Sequence, residues 1–445
     1  MKTKRNLIRI CLLGAVLLQA ATSGAQPVTK ITAGDYHSLF LKSDGSLWAM
    51  GENEFGGLGD GTYNQTNQPE QIVASNVTAI AAADDHSLFL KSDGSLLAMG
   101  WNYYGELGDG TCSPTNLPEQ IMASNVTAIA AGAYHSLLLK NDGSLWTMGY
   151  NGQGQLGDGT YNTTNLPEQI VASNVTAIAA GNAHSLFLKS DGSLWAMGVN
   201  GEGELGDGTY TTTNLPEQIV ASNVTAIAAG MSYSLFLKSG GSLWSMGWNH
   251  YGQLGDGTYS KTNRPEQIVA SNVTAIAAGY AHSLFLKSDG SLWAMGWNQS
   301  GQLGDGTHTY PYTTNLPEQI VASGVTAIAG GIDHSLFLKN DGSLWAMGAN
   351  GYGQLGDGTY NQTNRPEQIL AAYNQISGQL LGGTNMQLSF VGIAGANYAL
   401  DRSSSLSPPN WIPQLTNPAG SFGALVLTNT PDATTNNFWR IRSVP

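Results

Sequence analysis

The chain has 445 residues, a formal charge of −13 and two cysteines. An acidic balance of this size opposes binding to nucleic acid or to an anionic membrane surface through basic patches. Once an N-terminal leader is removed only Cys112 remains, so a disulfide framework is excluded and stability must come from packing.

In chain order, the first feature is a processing segment. Lys2, Lys4, Arg5 and Arg9 precede an apolar run from Ile10 to Ala21, with small residues at Ser23 and Ala25. This pattern predicts a secretory signal peptide over 1–25, cleaved after Ala25. The apolar run is short for crossing hydrocarbon, and no later stretch is long enough. The mature chain is therefore expected to be secreted or held at the cell surface, without membrane insertion.

From Val28 the chain repeats. "LGDGT" begins at Leu58, Leu107, Leu156, Leu205, Leu254, Leu303 and Leu355, spaced by 49 residues five times and then by 52. The extra three residues fall in "THTYPYTTN". Each unit reads as four strands. "VTAIAAG" is apolar or small on both faces, as for a strand packed on both sides. "HSLFLK" and "SLWAMG" flank an Asp-Gly hairpin turn. "PEQIV" opens on Pro, which suits a strand start or an edge. Four strands per unit and seven units predict a seven-bladed β-propeller over 26–373. A lone unit cannot cover both faces of its sheet, so stacking and ring closure provide the core. Trp48, Trp146, Trp195, Trp244, Trp293 and Trp345 recur, with Leu97 in the second copy. They are expected to pack against small residues of a neighbouring sheet.

The unit "AAGNAHSLFLKSDGSLWAMGVNGEGELGDGT" resembles the regulator of chromosome condensation repeat family, and the likeness runs from Val28 to Ala372. The resemblance implies a seven-bladed propeller strongly and an activity weakly, because one fold hosts many functions. The family's best-known nuclear member is an exchange factor for a small GTPase, an activity that an exported chain does not inherit. Similar secreted bacterial propellers include a protein inhibitor of β-lactamases, nearer in compartment.

Six histidines, His37, His86, His135, His184, His282 and His334, occupy equivalent places, and Tyr233 takes the seventh. Catalysis needs different groups converging on one substrate. A residue repeated around an axis instead sits in like environments, so each imidazole is expected to bond nearby backbone and fix a strand entry. The G-x-G-x-x-G matches at Gly152, Gly201 and Gly351 lack the strand-before, helix-after context of a dinucleotide site. "NVT" at Asn76, Asn125, Asn174, Asn223 and Asn272 matches a glycosylation acceptor but reads as a scaffold turn. No metal site and no cofactor are expected.

Comparison among the copies shows where the scaffold leaves residues free. The two residues before each His vary, as do the "MG-x-N-x-x-G" loop and the stretch after "GT". Trp101, Tyr103, Tyr104, Trp248, Tyr251 and Trp297 occupy positions that other copies fill with small or polar residues. Aromatic side chains of this kind are common interface anchors. They predict a recognition face for an unknown protein or a glycan, on a monomeric, non-enzymatic scaffold. The alternatives are a polysaccharide-acting enzyme using Glu52, Asp84, Asp85, Glu202 or Asp333, which would need an acid pair about 5–10 Å apart, and a passive surface or matrix protein. After the repeats, residues 374–445 alternate strand-like runs with Pro-rich turns and predict a small C-terminal β-sandwich.

Overall fold

The computed structural model describes residues 26–307, 313–370, 377–381, 385–391, 397–403, 412–418, 424–429 and 438–444. The expected leader (1–25) and the "HTYPY" insertion (308–312) lie outside the described residues. Every regular element among them is a strand. The chain divides into a propeller unit, Val28–Asn340 with Leu344–Ile369, and a second unit that holds the tail strands.

The propeller has seven four-stranded antiparallel blades, each assembled from consecutive strands. Blade 1 runs from an inner strand (Val28–Ala33) through a second (His37–Lys42) and a third (Leu47–Gly51) to an outer strand (Thr66–Val73). Blades 2 to 7 start their inner strands at Val77, Val126, Val175, Val224, Val273 and Val325. The inner strands are only half-buried and line the axial channel, rather than being packed on both sides. Their alanines suit the narrow space where seven strands converge. Nor does the proline open the outer strand. Pro69 lies inside it, beside the register shift between Ala49 and Gly51, where an edge needs no N–H.

The core lies between blades. Leu39, Leu41, Leu47, Ala49 and Leu58 of blade 1 meet Val77, Phe89, Leu97 and Met99 of blade 2. The same set recurs at the next interface, where Trp146 joins it as a partly buried member. The tryptophans are thus at the blade interfaces but are not fully buried. Trp48 donates its indole N–H to Ser46 Oγ at 2.9 Å and carries Lys42 Nζ 3.7 Å from its ring centroid. Lys140, Lys189, Lys238, Lys287 and Lys339 cap their own blade's Trp in the same way.

The histidines belong to the scaffold, but their partner differs from the one expected. Each Nε2 meets the Ser Oγ of the next blade: His37 with Ser87 at 2.8 Å, His86 with Ser136 at 3.0 Å, His135 with Ser185 at 2.8 Å and His184 with Ser234 at 3.0 Å. His282 meets Ser335, and His334 closes the circle on Ser38, both at 2.9 Å. The serine hydroxyl donates to a loop carbonyl of the preceding blade, as Ser87 does to Gly57. Its oxygen is therefore the acceptor for an Nε2–H, which fixes the tautomer. Tyr233 spans the same gap, donating to the backbone carbonyls of Gly279 and His282. Side-chain ties and packing, not a shared strand, join blade 7 to blade 1.

The tyrosine and the imidazoles all rest against the small residue that ends the inner strand. A Cβ on Gly181 would overlap the His184 ring and the Gly230 carbonyl. Blade 2 has Ala83 at this place, and there the bond from its N–H to the His86 carbonyl stretches to 3.2 Å, against 2.8 Å at Gly132. Asn76, Asn125, Asn174, Asn223 and Asn272 hold φ between 68° and 71°, and Gly324 takes the sixth such turn at 82°. The repeated asparagine is a left-handed turn residue.

In the tail, Ser377–Leu381, Asn385–Val391 and Ala424–Asn429 form one three-stranded antiparallel sheet. Ile412–Pro418, Asn397–Ser403 and Phe438–Val444 form another.

Candidate functional site

Strand direction sets what can meet. In an antiparallel blade, the turn after the inner strand (34–36 in blade 1) and the long loop after the third strand (52–65) emerge at one end. The Asp-Gly hairpins and the links between blades emerge at the other. All three variable segments therefore share the loop end of the propeller.

A buried asparagine organises each long loop. Asn200 Nδ2 donates to Asp207 at 3.0 Å, and its Oδ1 accepts the Leu205 N–H at 3.1 Å. Asp207 also receives the Thr209 N–H and hydroxyl, so the acid of "LGDGT" is engaged locally in the loop. Immediately before that aspartate's leucine–glycine pair, a buried Gln or Glu accepts a further loop N–H. Gln253 Oε1 takes it from Tyr251 at 3.0 Å, and Glu106 Oε2 from Tyr104 at 2.9 Å. Blade 1 has Gly57 there and lacks this acceptor, while Glu52 accepts a different loop N–H, that of Glu54. Loops held this way present their remaining side chains on a rigid base.

The six aromatic candidates fall into two groups. Trp101 lies edge-on to Phe55 of blade 1 and to Tyr103, with centroids 4.4 Å and 4.3 Å away. Tyr104 meets Tyr150 of blade 3 at 5.0 Å and Tyr134 at 5.8 Å. On blades 5 and 6, Trp248 contacts Tyr251 at 5.2 Å, and Tyr251 contacts Trp297 at 3.9 Å. Tyr103 and Tyr104 are exposed, whereas Trp101, Trp248, Tyr251 and Trp297 are half-buried. Part of their surface is thus spent on packing between blades.

Between these groups lies the upper part of the axial channel, a space of about 630 Å³. Its wall is alanine and isoleucine, including Ile80 and Ile129, and its rim carries Asp35, Tyr36, Asp84, Tyr134, Asn182 and Tyr280. The acids crowd to one side. Asp35 hydrogen-bonds Asp84, and burial with that contact pushes it well above the ordinary carboxylate range. Burial and repulsion from Asp84 push Asp85 up to about 8, and Asp85 hydrogen-bonds Glu52, which burial also raises. Glu106 is fully buried and is pushed up to about 7. Asp333, on blade 7, accepts from Gln302 Nε2 at 2.9 Å. Of the five acids singled out by sequence, Glu52, Asp84 and Asp85 come together. Glu202 stands elsewhere, in an exposed pair with Lys261 at 3.3 Å. Asp35 and Glu106 belong to the cluster and were missed. Their signal was departure from the copies, since Glu106 stands where most have Gln.

The model of the RCC1-like domain matches residues 167–392, just over half of the chain. Models of the regulator of chromosome condensation repeat match 44–90, 93–139 and 142–188, and in a second form 28–56, 77–106 and 126–155. The chain belongs to this repeat family. Solved structures share its fold. Human WBSCR16 superposes with a TM-score of 0.63 at 23% identity, over 69% of this chain and 85% of its own. Prp20p of Saccharomyces cerevisiae gives 0.62 at 23% identity, over 71% and 84%. Probable E3 ubiquitin-protein ligase HERC4 of Rattus norvegicus is 30% identical over 88 residues, 20% of this chain. That stretch is 8% of the relative's own length.

Proposed function

We propose that this chain is an exported, non-enzymatic scaffold that docks a protein partner on the loop end of its propeller. The observation that carries this reading is the gathering, at one end, of side chains the repeat does not need. Trp101, Tyr103 and Tyr104 stand in one sector, Trp248, Tyr251 and Trp297 in another, and the channel rim lies between them. Aromatic anchors on a preorganised base give contact area at little ordering cost. Solved relatives point the same way: Prp20p is described with its binding to Gsp1p and histones, and yeast Prp20 with Kap60 bound. Export rests on the Lys2–Ala25 leader pattern, and the two tail sheets suit a small β-sandwich acting as a separate module of a monomer.

The acid cluster supports binding over turnover. Carboxyls in hydrogen-bond contact, as Asp35 with Asp84 and Asp85 with Glu52, do not leave the gap of about 5–10 Å that glycoside hydrolysis needs. The test compares the mature wild type with a variant carrying alanine at all six aromatic positions, against the extracellular fraction of the source and a glycan array. A protein retained by the wild type and lost by the variant, at equal melting temperature, is the expected result. Equal retention by the variant removes the face, and capture of a glycan instead of a protein changes the partner class.

A further inference from the structure

Blade 7 departs from its neighbours by what it lacks. Each long loop carries a variable residue on either side of its buried asparagine, and on blades 2 and 5 rings fill both places. They are Trp101 and Tyr103, with centroids 4.3 Å apart, and Trp248 and His250, stacked at 6.3 Å. Blade 7 has Ala349 and Gly351 around Asn350. A Cβ on Gly351 would meet nothing within 4 Å, and its φ lies outside the left-handed region, so neither packing nor backbone demands a glycine there. Blade 4 is also small at these places, with Val199 and Gly201, but Lys261 of blade 5 reaches across to the Gly201 carbonyl at 3.0 Å. On blade 7 the space stays open. It is a pocket of about 540 Å³ between the long loop and Tyr36 of blade 1, within the ~300–1,000 Å³ of small-ligand sites.

The lining of this pocket is aromatic and amide, without charge. Tyr36, Tyr352 and Tyr360 supply its rings, with Tyr36 and Tyr352 tilted against each other at 4.9 Å and Tyr352 and Tyr360 exposed. Asn361 and Gln362 line it with side-chain amides that bond to no described residue. Gln354, itself buried, gives Oε1 to the Tyr352 N–H at 3.0 Å, which leaves its amide nitrogen for another partner. No lysine, arginine, aspartate or glutamate lines the pocket, although the neighbouring channel rim carries Asp35 and Asp84. An ionic ligand would lose water here and gain no counter-charge. The set matches a flat, uncharged molecule with an apolar face for the rings and an edge of groups that both donate and accept.

We infer that the pocket over Ala349 and Gly351 binds a neutral sugar ring. A pyranose has a C–H face, which takes the place against tyrosine that a second aromatic ring fills on blades 2 and 5. Its hydroxyls both donate and accept, as do the amides and phenols around it. A nucleobase would also stack, but a nucleotide brings phosphate, for which the pocket holds no cation and which the net charge of the chain repels. The ring arrives as a free saccharide or as the end of a glycan chain. None of the six aromatic candidates lines this pocket, so the site goes beyond the docking face proposed above.

The test uses the full mature chain and follows methyl glucoside, methyl galactoside and methyl mannoside by saturation-transfer NMR, with adenosine and methyl glucuronide as controls. At least one hexoside should bind, with a Kd on the order of a millimolar, and neither control should match it. Ala349→Trp combined with Gly351→Tyr gives blade 7 the pair that blade 2 carries, and should abolish binding without lowering the melting temperature. Tyr352→Ala should weaken binding by about tenfold. Tyr161→Ala, at an exposed tyrosine on the blade 3 loop, should stay within about twofold. Failure of all three hexosides, binding that survives the filled pocket, or equal weakening by Tyr161→Ala would overturn the site. Adenosine or methyl glucuronide binding as tightly would overturn the neutral sugar. An oligosaccharide ending in the bound hexose separates the sources: tighter binding than the methyl hexoside supports a glycan chain, and equal binding a free saccharide. These variants leave the six aromatic positions untouched, so sugar binding and protein capture by the docking face can fail separately.

Discussion

Lowering the pH from 7 to 5 should destabilise the propeller steeply, and the histidine circle is the reason. Burial holds His37, His184 and His282 at about 4 and His86, His135 and His334 at about 3, against an ordinary 6.5. A folded value below the unfolded one means that the unfolded chain takes up protons the native chain refuses. The stability is complete above pH 6.5 and is lost as the pH falls towards 4. The structural cause is plain: Nε2–H is already spent on a serine, and a proton on Nδ1 would be buried without an acceptor, as at His86 and His184. One proton per pH unit is worth about 1.4 kcal/mol, so each histidine gives up about 2 kcal/mol by pH 5, and six give up about 12 kcal/mol. Acids work in the opposite sense. Asp85 at about 8 and Glu106 at about 7 keep protons in the fold that the unfolded chain releases. They return roughly 5 kcal/mol over the same interval. Asp35, Glu52, Glu204 and Asp333 are raised as well and add to that return. The net loss is on the order of 5 kcal/mol, a large part of a typical domain's stability. Guanidinium midpoints at pH 7, 6 and 5 measure it. His184→Tyr, copying blade 5, should reduce the slope below pH 6 by about one proton. A midpoint that holds from pH 7 to 5, or a slope that His184→Tyr leaves unchanged, would refute the reasoning.

Three further outcomes follow from single contacts. Asn200→Ala strands the Leu205 N–H and frees Asp207, and should cost about 2–4 kcal/mol by chemical denaturation. Trp146→Ala should cost about 2 kcal/mol, below the usual range for a buried Trp, because the ring is half-exposed under Lys140. Leu145→Ala, fully buried beside it, should cost more by the same measurement. Asp85→Asn should raise the melting temperature most at pH 8 and above, and progressively less as the pH falls towards 4, since the penalty for holding a proton that the unfolded chain releases builds up between about pH 4 and pH 8.

The blade was readable from sequence because closure demands repetition. Every unit must offer the same leucines to one neighbour and the same Phe and Met to the other, so the period carries the fold. The histidine's partner was also within reach. On a strand, adjacent side chains point to opposite faces, so His37 and Ser38 face different neighbours. A His-Ser pair repeated around a circle can then bond only from blade to blade, which is the arrangement of His37 with Ser87. The recurring Asn of "MG-x-N" was likewise available, since a polar residue required in every copy of a tight loop implies buried bonds such as those of Asn53.

The channel mouth was not readable in this way, because its chemistry comes from departures rather than from the rule. Asp35 and Asp84 occupy one variable position in adjacent copies, and only the ring places them together. Gly57 removes the oxygen that other blades supply, and Glu52 bonds a different loop N–H, that of Glu54, bringing a carboxyl beside Asp85. Glu106 does the reverse, keeping the loop bond and exchanging an amide for an acid. Single substitutions of this kind, scattered at random, would each be relieved by water. Asp35, Asp84, Asp85, Glu52 and Glu106 gather on two neighbouring blades, while Glu204 makes the same exchange alone on blade 4. A propeller that gained only stability would have kept the neutral glutamine that four of its blades retain. The cost of these acids falls on the fold.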